Sequence, residues 1–363
     1  MLITYPHMGT LHIVLKTLFT SLGRPVLTPP PITKRTMELG AKHSPETVCL
    51  PFKVTLGNFI EALEQGADTI VTCGGVGPCR LGYYAEVQKG ILRQLGYKFD
   101  IIAIEPDIVD VLKNLAKVSH KKSLREIYYA FQFAGTKMGV LDTVKKAVTM
   151  LRPRQKTPGI ADVIWNRAVK DIEDAETIPK VTAILEETLT AIEKHKRQDV
   201  QPLRIGLVGE IYVTLEDFIN QDLERVLGNM GVEVHKTMYL SDYVRGHLLR
   251  KKEYLDKYEE LFTVAKPYLG HYVGGHGLKS IGYTVQMSQQ GFDGVIQAYP
   301  FTCMPEVIAK NILPKVSHDM NIPVLSLVYD EQSGEAGVMT RLEAFIDLLK
   351  CRKNRAMVKQ AYS

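Results

Sequence analysis

One pattern occurs twice in this chain, and it restricts the fold more than any other. Gly66-Ala67-Asp68 leads an apolar run, Thr69 to Val71, that ends at Gly77-Pro78-Cys79. Gly291-Phe292-Asp293 leads a second run, Gly294 to Ala298, that ends at Tyr299-Pro300-Phe301-Thr302-Cys303. Upstream, residues 2–5 and 204–209 read as opening strands, and residues 24–27 and 232–235 as the strands after them. Downstream, residues 99–105 and 323–330 read as further strands, closing on Glu105, 26 residues after Cys79, and Asp330, 27 residues after Cys303. Short apolar runs bounded by glycine and proline and alternating with helical stretches predict parallel βαβ units. Their repetition predicts an α/β protein of two similar Rossmann-like parallel-sheet halves facing a central cleft. The halves are expected over residues 1–107 and 201–363, with a helical connecting region over 108–200.

The cysteines acquire meaning from that topology. In open parallel sheets, ligands gather beyond the carboxyl ends of the strands, where helices begin. A thiol there meets unpaired backbone N–H groups and the positive end of a helix dipole, which favours the thiolate. Cys79 and Cys303 follow strands, and Cys49 precedes a helical stretch marked by Leu56, Phe59, Ile60 and Leu63. Facing halves would bring Cys49, Cys79 and Cys303 to one cleft. Structural zinc sites usually use four protein ligands and paired C-x2-C knuckles, and no such knuckle occurs here. Three separated thiols suit an iron–sulfur cluster with one iron left open; the competing reading is three buried, inert cysteines.

The segments Cys49-Leu50-Pro51-Phe52-Lys53, Gly74-Gly75-Val76-Gly77-Pro78-Cys79-Arg80-Leu81-Gly82-Tyr83-Tyr84 and Pro300-Phe301-Thr302-Cys303-Met304-Pro305-Glu306 resemble the 2-hydroxyacyl-CoA dehydratase family. More narrowly they resemble its acyl-CoA dehydratase activase-related branch, as do Asp330-Glu331-Gln332-Ser333-Gly334-Glu335-Ala336-Gly337 and Thr340-Arg341-Leu342-Glu343. The resemblance implies an oxygen-sensitive cluster held by Cys49, Cys79 and Cys303, of the [4Fe-4S] type rather than a double cubane, which draws on more cysteines. It also implies low-potential electrons from an ATP-hydrolysing activator protein, a small substrate such as an acyl-CoA, and pairing with a related dehydratase-like subunit or a second copy.

Composition agrees. At 363 residues and 45% hydrophobic content the chain is long enough for two cores. No apolar run approaches the roughly 20 residues that span a membrane, and no leader pattern opens the chain, so a cytoplasmic protein is expected. Five cysteines, an odd number, suit a reducing compartment. The net charge of +5 is spread along helices such as the one bearing Lys145 and Lys146, interleaved with acids, which reads as solvated faces and not as a nucleic-acid surface. There is no G-x4-G-K-[ST] loop, so ATP hydrolysis is assigned to a partner. Cys73 is expected in the core and Cys351 in a basic tail without a role.

Further features bear on a site. His271-Tyr272-Val273-Gly274-Gly275-His276-Gly277 stands where Cys49 stands in the first half; it reads either as an anion-binding or cluster-side turn bearing His276, or as a tight turn. Tyr84 and Gln88, four apart after Cys79, fall on one helix face and are candidates to touch the cluster's surroundings. Asp330, Glu331 and Glu335 read as helix-capping acids. Trp165 and the trio Tyr128, Tyr129 and Phe131 are expected as core or interface. Two functions of different classes fit: a reductive enzyme or enzyme subunit whose open iron meets substrate, or a noncatalytic relay. A small-molecule clamp is a lesser third.

Overall fold

The computed structural model describes residues 1–75, 78–105, 107–120 and 122–361, with side chains as far as residue 355. Val76 and Gly77, in the turn expected before Cys79, lie outside the described residues. The fold is mixed α/β, with two parallel sheets flanked by helices. The chain divides into two compact units that interleave along the sequence: Met1–Lys146, Val163–Ala191 and Tyr239–Leu255 form the first, and Ala147–Asp162, Ile192–Met238 and Asp256–Ser363 the second.

The first unit's sheet has the order β1 (Ile3–Thr4), β2 (Thr69–Cys73), β3 (Asp100–Ile104), all parallel. In the second unit β4 (Leu203–Gly209), β5 (Val232–Lys236), β6 (Gly294–Pro300) and β7 (Val324–Tyr329) are arranged β5-β4-β6-β7, again parallel. The two orders superpose once Val26 is included, because it bridges Ile3 on the side where β5 flanks β4. Residues 24–27 therefore correct the expectation of a strand. Pro25 has no N–H to give, and the segment is held to Ile3 by two hydrogen bonds, from Ile3 to Pro25 and from Leu27 to Ile3.

The repeated Gly-x-Asp explains itself in this frame. Helix α1 (Leu50–Glu64) leads into β2, and three helices labelled here in chain order follow: α2 (Tyr84–Gln94), α3 (Gly277–Gln289), which leads into β6, and α4 (Met304–Asp319). After α1, Gly66 turns left-handed at φ +97°, with its N–H on Leu63 O and that of Ala67 on Ala62 O. After α3, Gly291 does the same at φ +71°, with N–H bonds from Gly291 to Ser288 O and from Phe292 to Met287 O. Both are glycine C-caps with the double bond pattern that closes a helix end. The aspartates then clamp the opening strands. Leu2 N donates to Asp68 Oδ1 at 2.7 Å and Asp68 N to Leu2 O, while Arg204 N donates to Asp293 Oδ2 at 2.7 Å and Asp293 N to Arg204 O.

Burial follows the layers. In the first unit Phe52, Leu56, Phe59 and Ile60 of α1 pack with Ile70 of β2 and Leu92 of α2. Yet α1 is buried on every side from Leu50 to Leu63, not on one stripe. The helix Lys34–His43 covers its other face at a glycine crossing: a Cβ on Gly57 would stand 2.0 Å from Thr36 O, and one on Gly40 would stand 1.8 Å from Lys53 O. In the second unit Val208, Val295, Tyr283 and Met287 form part of the core between sheet and α3.

Other expectations change. Tyr128 and Tyr129, on the helix Leu124–Leu151, are exposed, which removes the core alternative of the core-or-interface expectation for them. Cys351 is exposed within the helix Glu335–Ala361, which continues where a polar tail was expected. No helix among the described residues is long and apolar enough to cross a membrane.

Candidate functional site

Each of the three cysteines singled out by the sequence occupies the same local position. Cys49 is the N-cap of α1, Cys303 is the N-cap of α4, and Cys79 precedes a 3-10 turn, Arg80–Tyr83, that runs directly into α2. Helix N-caps favour Ser, Thr, Asp or Asn, whose oxygens accept the first N–H groups, a contribution of about 1 kcal/mol. None of the three thiols makes a side-chain capping bond. Pro at the start of α1 and α4 suits a first turn, where its missing N–H costs nothing. All three cysteines are half-buried, whereas Cys73 and Cys351 are exposed.

In the first unit the turns bearing Cys49 and Cys79 are neighbours, because Arg80 Nη1 donates to Thr47 O at 2.9 Å. Within the Cys79 loop itself the backbone also closes tightly at a glycine, since a Cβ on Gly82 would lie 2.5 Å from Gly75 O. Tyr84 and Gln88 both point at α1, as their spacing predicts. The Tyr84 hydroxyl lies 2.6 Å from Cys49 Sγ, and its ring meets Phe52 edge-on with centroids 5.0 Å apart. Gln88 is fully buried and donates to Thr55 Oγ1 at 2.8 Å. Tyr84 therefore touches a predicted ligand, while Gln88 braces α1.

Cys73 corrects the expectation of core packing. It is the last residue of β2 and the one exposed member of a strand whose other four residues are buried, because the sheet ends there. Desolvation and, after it, the Glu105 carboxylate push its thiol upward. Glu105 lies against Gly74, where a Cβ would come within 2.2 Å of Oε1, and its Oε2 is buried without a hydrogen-bond partner.

The second unit surrounds Cys303 differently. Thr302 is left-handed at φ +65°, uncommon for a β-branched residue, and Cys303 N closes the turn onto Pro300 O at 3.1 Å. Three residues on, Glu306 is fully buried. Its carboxylate accepts from Ser280 Oγ at 3.0 and 3.1 Å and from Gln297 Nε2 at 2.7 Å, while Ser326 Oγ donates to Gln297 Oε1 at 2.8 Å. These donors are neutral, and burial pushes Glu306 up to about 7, with the Glu210 carboxylate adding to the rise. Glu210 caps the short helix Ile211–Leu215 through Val213 N, and burial pushes it up to about 7 as well. Sequence reasoning passed over this pair. A first-turn glutamate reads as a helix-dipole acid, and nothing local tells that Glu306 turns inward.

His276 is the N-cap of α3, the position Cys49 holds on α1, and makes no side-chain capping bond. Lys279, in the first turn of α3, is buried with its ammonium 3.7 Å from the Tyr258 ring centroid, and desolvation followed by Lys257 lowers it to about 7. Glu335 opens the last helix and is exposed. The acid that organises that turn is Asp330, whose Oδ1 accepts from Gln332 N and Ser333 Oγ.

Among the described residues no three His, Cys, Asp or Glu side chains come together as a group able to hold a metal ion. What the cysteines offer is donor chemistry, soft thiols at helix starts, which suits iron and sulfide. No curated protein matches the chain. Residues 7–72, a stretch that includes Cys49 and all of α1 and ends before Cys79, match the family described as CoA enzyme activase uncharacterised domain (DUF2229), which points to the acyl-CoA dehydratase and activase family.

Proposed function

We propose that this chain is an iron–sulfur protein of the 2-hydroxyacyl-CoA dehydratase type, with Cys49, Cys79 and Cys303 as the protein ligands of a [4Fe-4S] cluster. The observation that carries the reading is the shared position of the three thiols: each begins a helix, and none spends its sulfur on capping. A cluster held by three thiolates supplies low-potential single electrons and one iron not bound to cysteine. The chain's own groups set the surroundings. Tyr84 hydrogen-bonds Cys49, Arg80 holds the two cysteine turns of the first unit together, and Glu306 places a buried carboxyl, raised to about 7 by burial, in the first turn of the Cys303 helix. Electrons come from an ATP-hydrolysing activator protein, and a small acyl-CoA-like substrate is reduced or dehydrated, with a related subunit or a second copy as the other partner.

The test is iron and acid-labile sulfide on anaerobically purified protein. Roughly four of each per chain, lost in Cys303→Ala, is the expected result. Roughly eight of each would mean a double cubane, and zinc or no metal in protein never exposed to oxygen would end the iron–sulfur reading.

A further inference from the structure

We propose that the carboxyl edge of the second unit's sheet is a binding site for a neutral amide group, held by Gln221, Thr302 and Tyr329. The proposal does not depend on the iron–sulfur reading.

Topology gives the place. In the order β5-β4-β6-β7 the chain runs from β4 outward to β5 and then returns to the other side of β4 for β6. Open parallel sheets bind ligands beyond the carboxyl ends of their strands, at the point where the order reverses. Gln221 lies in the connection that leaves β4, Thr302 stands two residues after β6, and Tyr329 ends β7. Contacts join these segments. Phe301 N donates to Tyr329 O at 2.7 Å, which sets the residue before Thr302 against the end of β7. Gln221 Nε2 donates to Ser333 O at 3.0 Å, in the turn that starts at Asp330, so the connection from β4 reaches the turn directly after Tyr329. Ser326, three residues before Tyr329, points to the face where Gln297 bonds Glu306 of α4. The Tyr329 ring therefore lies on the opposite face, which the helix entered from that turn covers at Gly294.

The side chains then point to a ligand. Gln221 Oε1, Thr302 Oγ1 and Tyr329 Oη are each buried with no hydrogen-bond partner among the described residues. No other side-chain atom of the second unit's described residues has this standing, so all three fall on these adjoining segments. Buried polar groups are nearly always paired, and each exception needs a reason. Tyr329 is fully buried, whereas Gln221 and Thr302 are half-buried, which makes the tyrosine a floor and the other two a rim. The backbone is strained at the same rim. Of the five non-glycine residues with positive φ among the described residues, three are Gln221 at +58°, Asp222 at +56° and Thr302 at +65°. Such conformations cost free energy and gather at ligand clamps.

The atoms define the ligand's chemistry. Ser333 O can only accept, so the Gln221 amide is oriented with Nε2 toward it and Oε1 left as an acceptor. Burial pushes the Tyr329 hydroxyl far upward, against the pull of the Arg341 guanidinium, so it keeps its proton and donates. The Thr302 hydroxyl donates as well as accepts. One acceptor and two donors, all uncharged, match one N–H and the two lone pairs of one carbonyl oxygen. A secondary amide carries that set on adjacent atoms.

The experiment titrates the full chain, carrying 13Cζ-tyrosine, with N-methylacetamide and, separately, with methyl acetate, which keeps the carbonyl and lacks the N–H. One tyrosine signal should move saturably with the amide, and Tyr329→Phe, by removing that signal, identifies it. The ester should bind about five- to tenfold more weakly, as should the amide to Gln221→Met, the loss of one hydrogen bond in each case. A Tyr329 signal that does not respond to the amide overturns the proposal, and so does an equal response to amide and ester. Thermal unfolding without any amide gives a second reading. Removing a hydroxyl that has no partner should raise the midpoint of Tyr329→Phe above that of wild type. A lower midpoint would mean that ordered water already satisfies the hydroxyl, and would overturn the proposal too. Neither readout involves iron, so failure here leaves the iron–sulfur reading standing.

Discussion

Replacing Glu306 by Gln should change how stability depends on pH. Glu306 is fully buried, and every group that faces it with a hydrogen bond is neutral: Ser280 from α3 and Gln297 from β6. The nearby charge, Glu210 at the end of β4, has the same sign. Burial and that repulsion raise the carboxyl from 4.5 to about 7. Its folded pKa lies above its unfolded one, so the folded state binds more protons between these values. Stability is highest below about pH 4.5 and falls as pH rises through 7. At about 1.4 kcal/mol per unit the full loss is about 3 kcal/mol. Gln keeps the shape: its oxygen accepts from Gln297 and its amide donates to the Ser280 hydroxyl. Urea unfolding of wild type and Glu306→Gln at pH 5, 6, 7 and 8, followed by circular dichroism, should show the variant gaining on wild type as pH rises, most of the change falling between pH 5 and 8. Parallel pH profiles would refute the reasoning, since they would mean that Glu306 is ionised throughout at no cost.

Other outcomes follow from single contacts. Tyr84→Phe retains the packing on Phe52 and removes the bond to Cys49, so stability should fall by about 1 kcal/mol in denaturant unfolding; in cluster-loaded protein the reduction potential should fall as a sulfur loses a donor. Gly57→Ala places a methyl 2.0 Å from the Thr36 carbonyl, and a loss of about 3 kcal/mol is expected. Gly90→Ala, in the same unit with nothing within 4 Å, should instead stabilise by about 0.5–1 kcal/mol. Gly66→Ala forces a side chain into a left-handed cap, which should cost about 1–2 kcal/mol of unfolding free energy. If the cluster's iron meets substrate, a CoA thioester should alter the spectrum of the reduced protein; a relay should show no change.

The central strands were legible in the sequence because parallel strands buried on both faces leave continuous apolar runs, and Thr69–Thr72 and Gly294–Pro300 are buried throughout. The cysteines at their ends were legible for the same reason, since a strand that stops fixes where the next helix starts. What the sequence withheld depends on partners far along the chain. The helix α1 shows an apolar stripe, but its remaining face is closed by the helix Lys34–His43, whose approach is set by Gly40 and Gly57. Tyr128 and Tyr129 suit core or interface by residue type, and only the exposure of the helix face that bears them decides against the core. Glu306 is worse still, because a charged residue in a first turn carries no local sign of burial. Its place is decided by Ser280 and Gln297, 26 and 9 residues away.

The clamp and the cysteine are best understood together. The Gly-x-Asp turn pins each strand to the opening strand of its sheet, so the residue after it has a fixed height. Strand β2 then runs five residues to Cys73 and β6 seven to Pro300. A difference of two residues would displace the next helix by more than 6 Å at about 3.3 Å per residue. The turns offset it: six positions separate Cys73 from Cys79, and three separate Pro300 from Cys303. Counted from the clamp, Cys79 lies 11 residues after Asp68 and Cys303 lies 10 after Asp293. Strand length and turn length thus differ between the halves, while the interval from the fixed point to the thiol hardly does. A buried, inert cysteine would place no such demand on a loop. Inserting one glycine between Phe301 and Thr302 tests the point. It leaves β6 and its clamp intact, so folding should persist, while iron content should fall together with the register of Cys303; undiminished iron would show that the interval carries no such constraint.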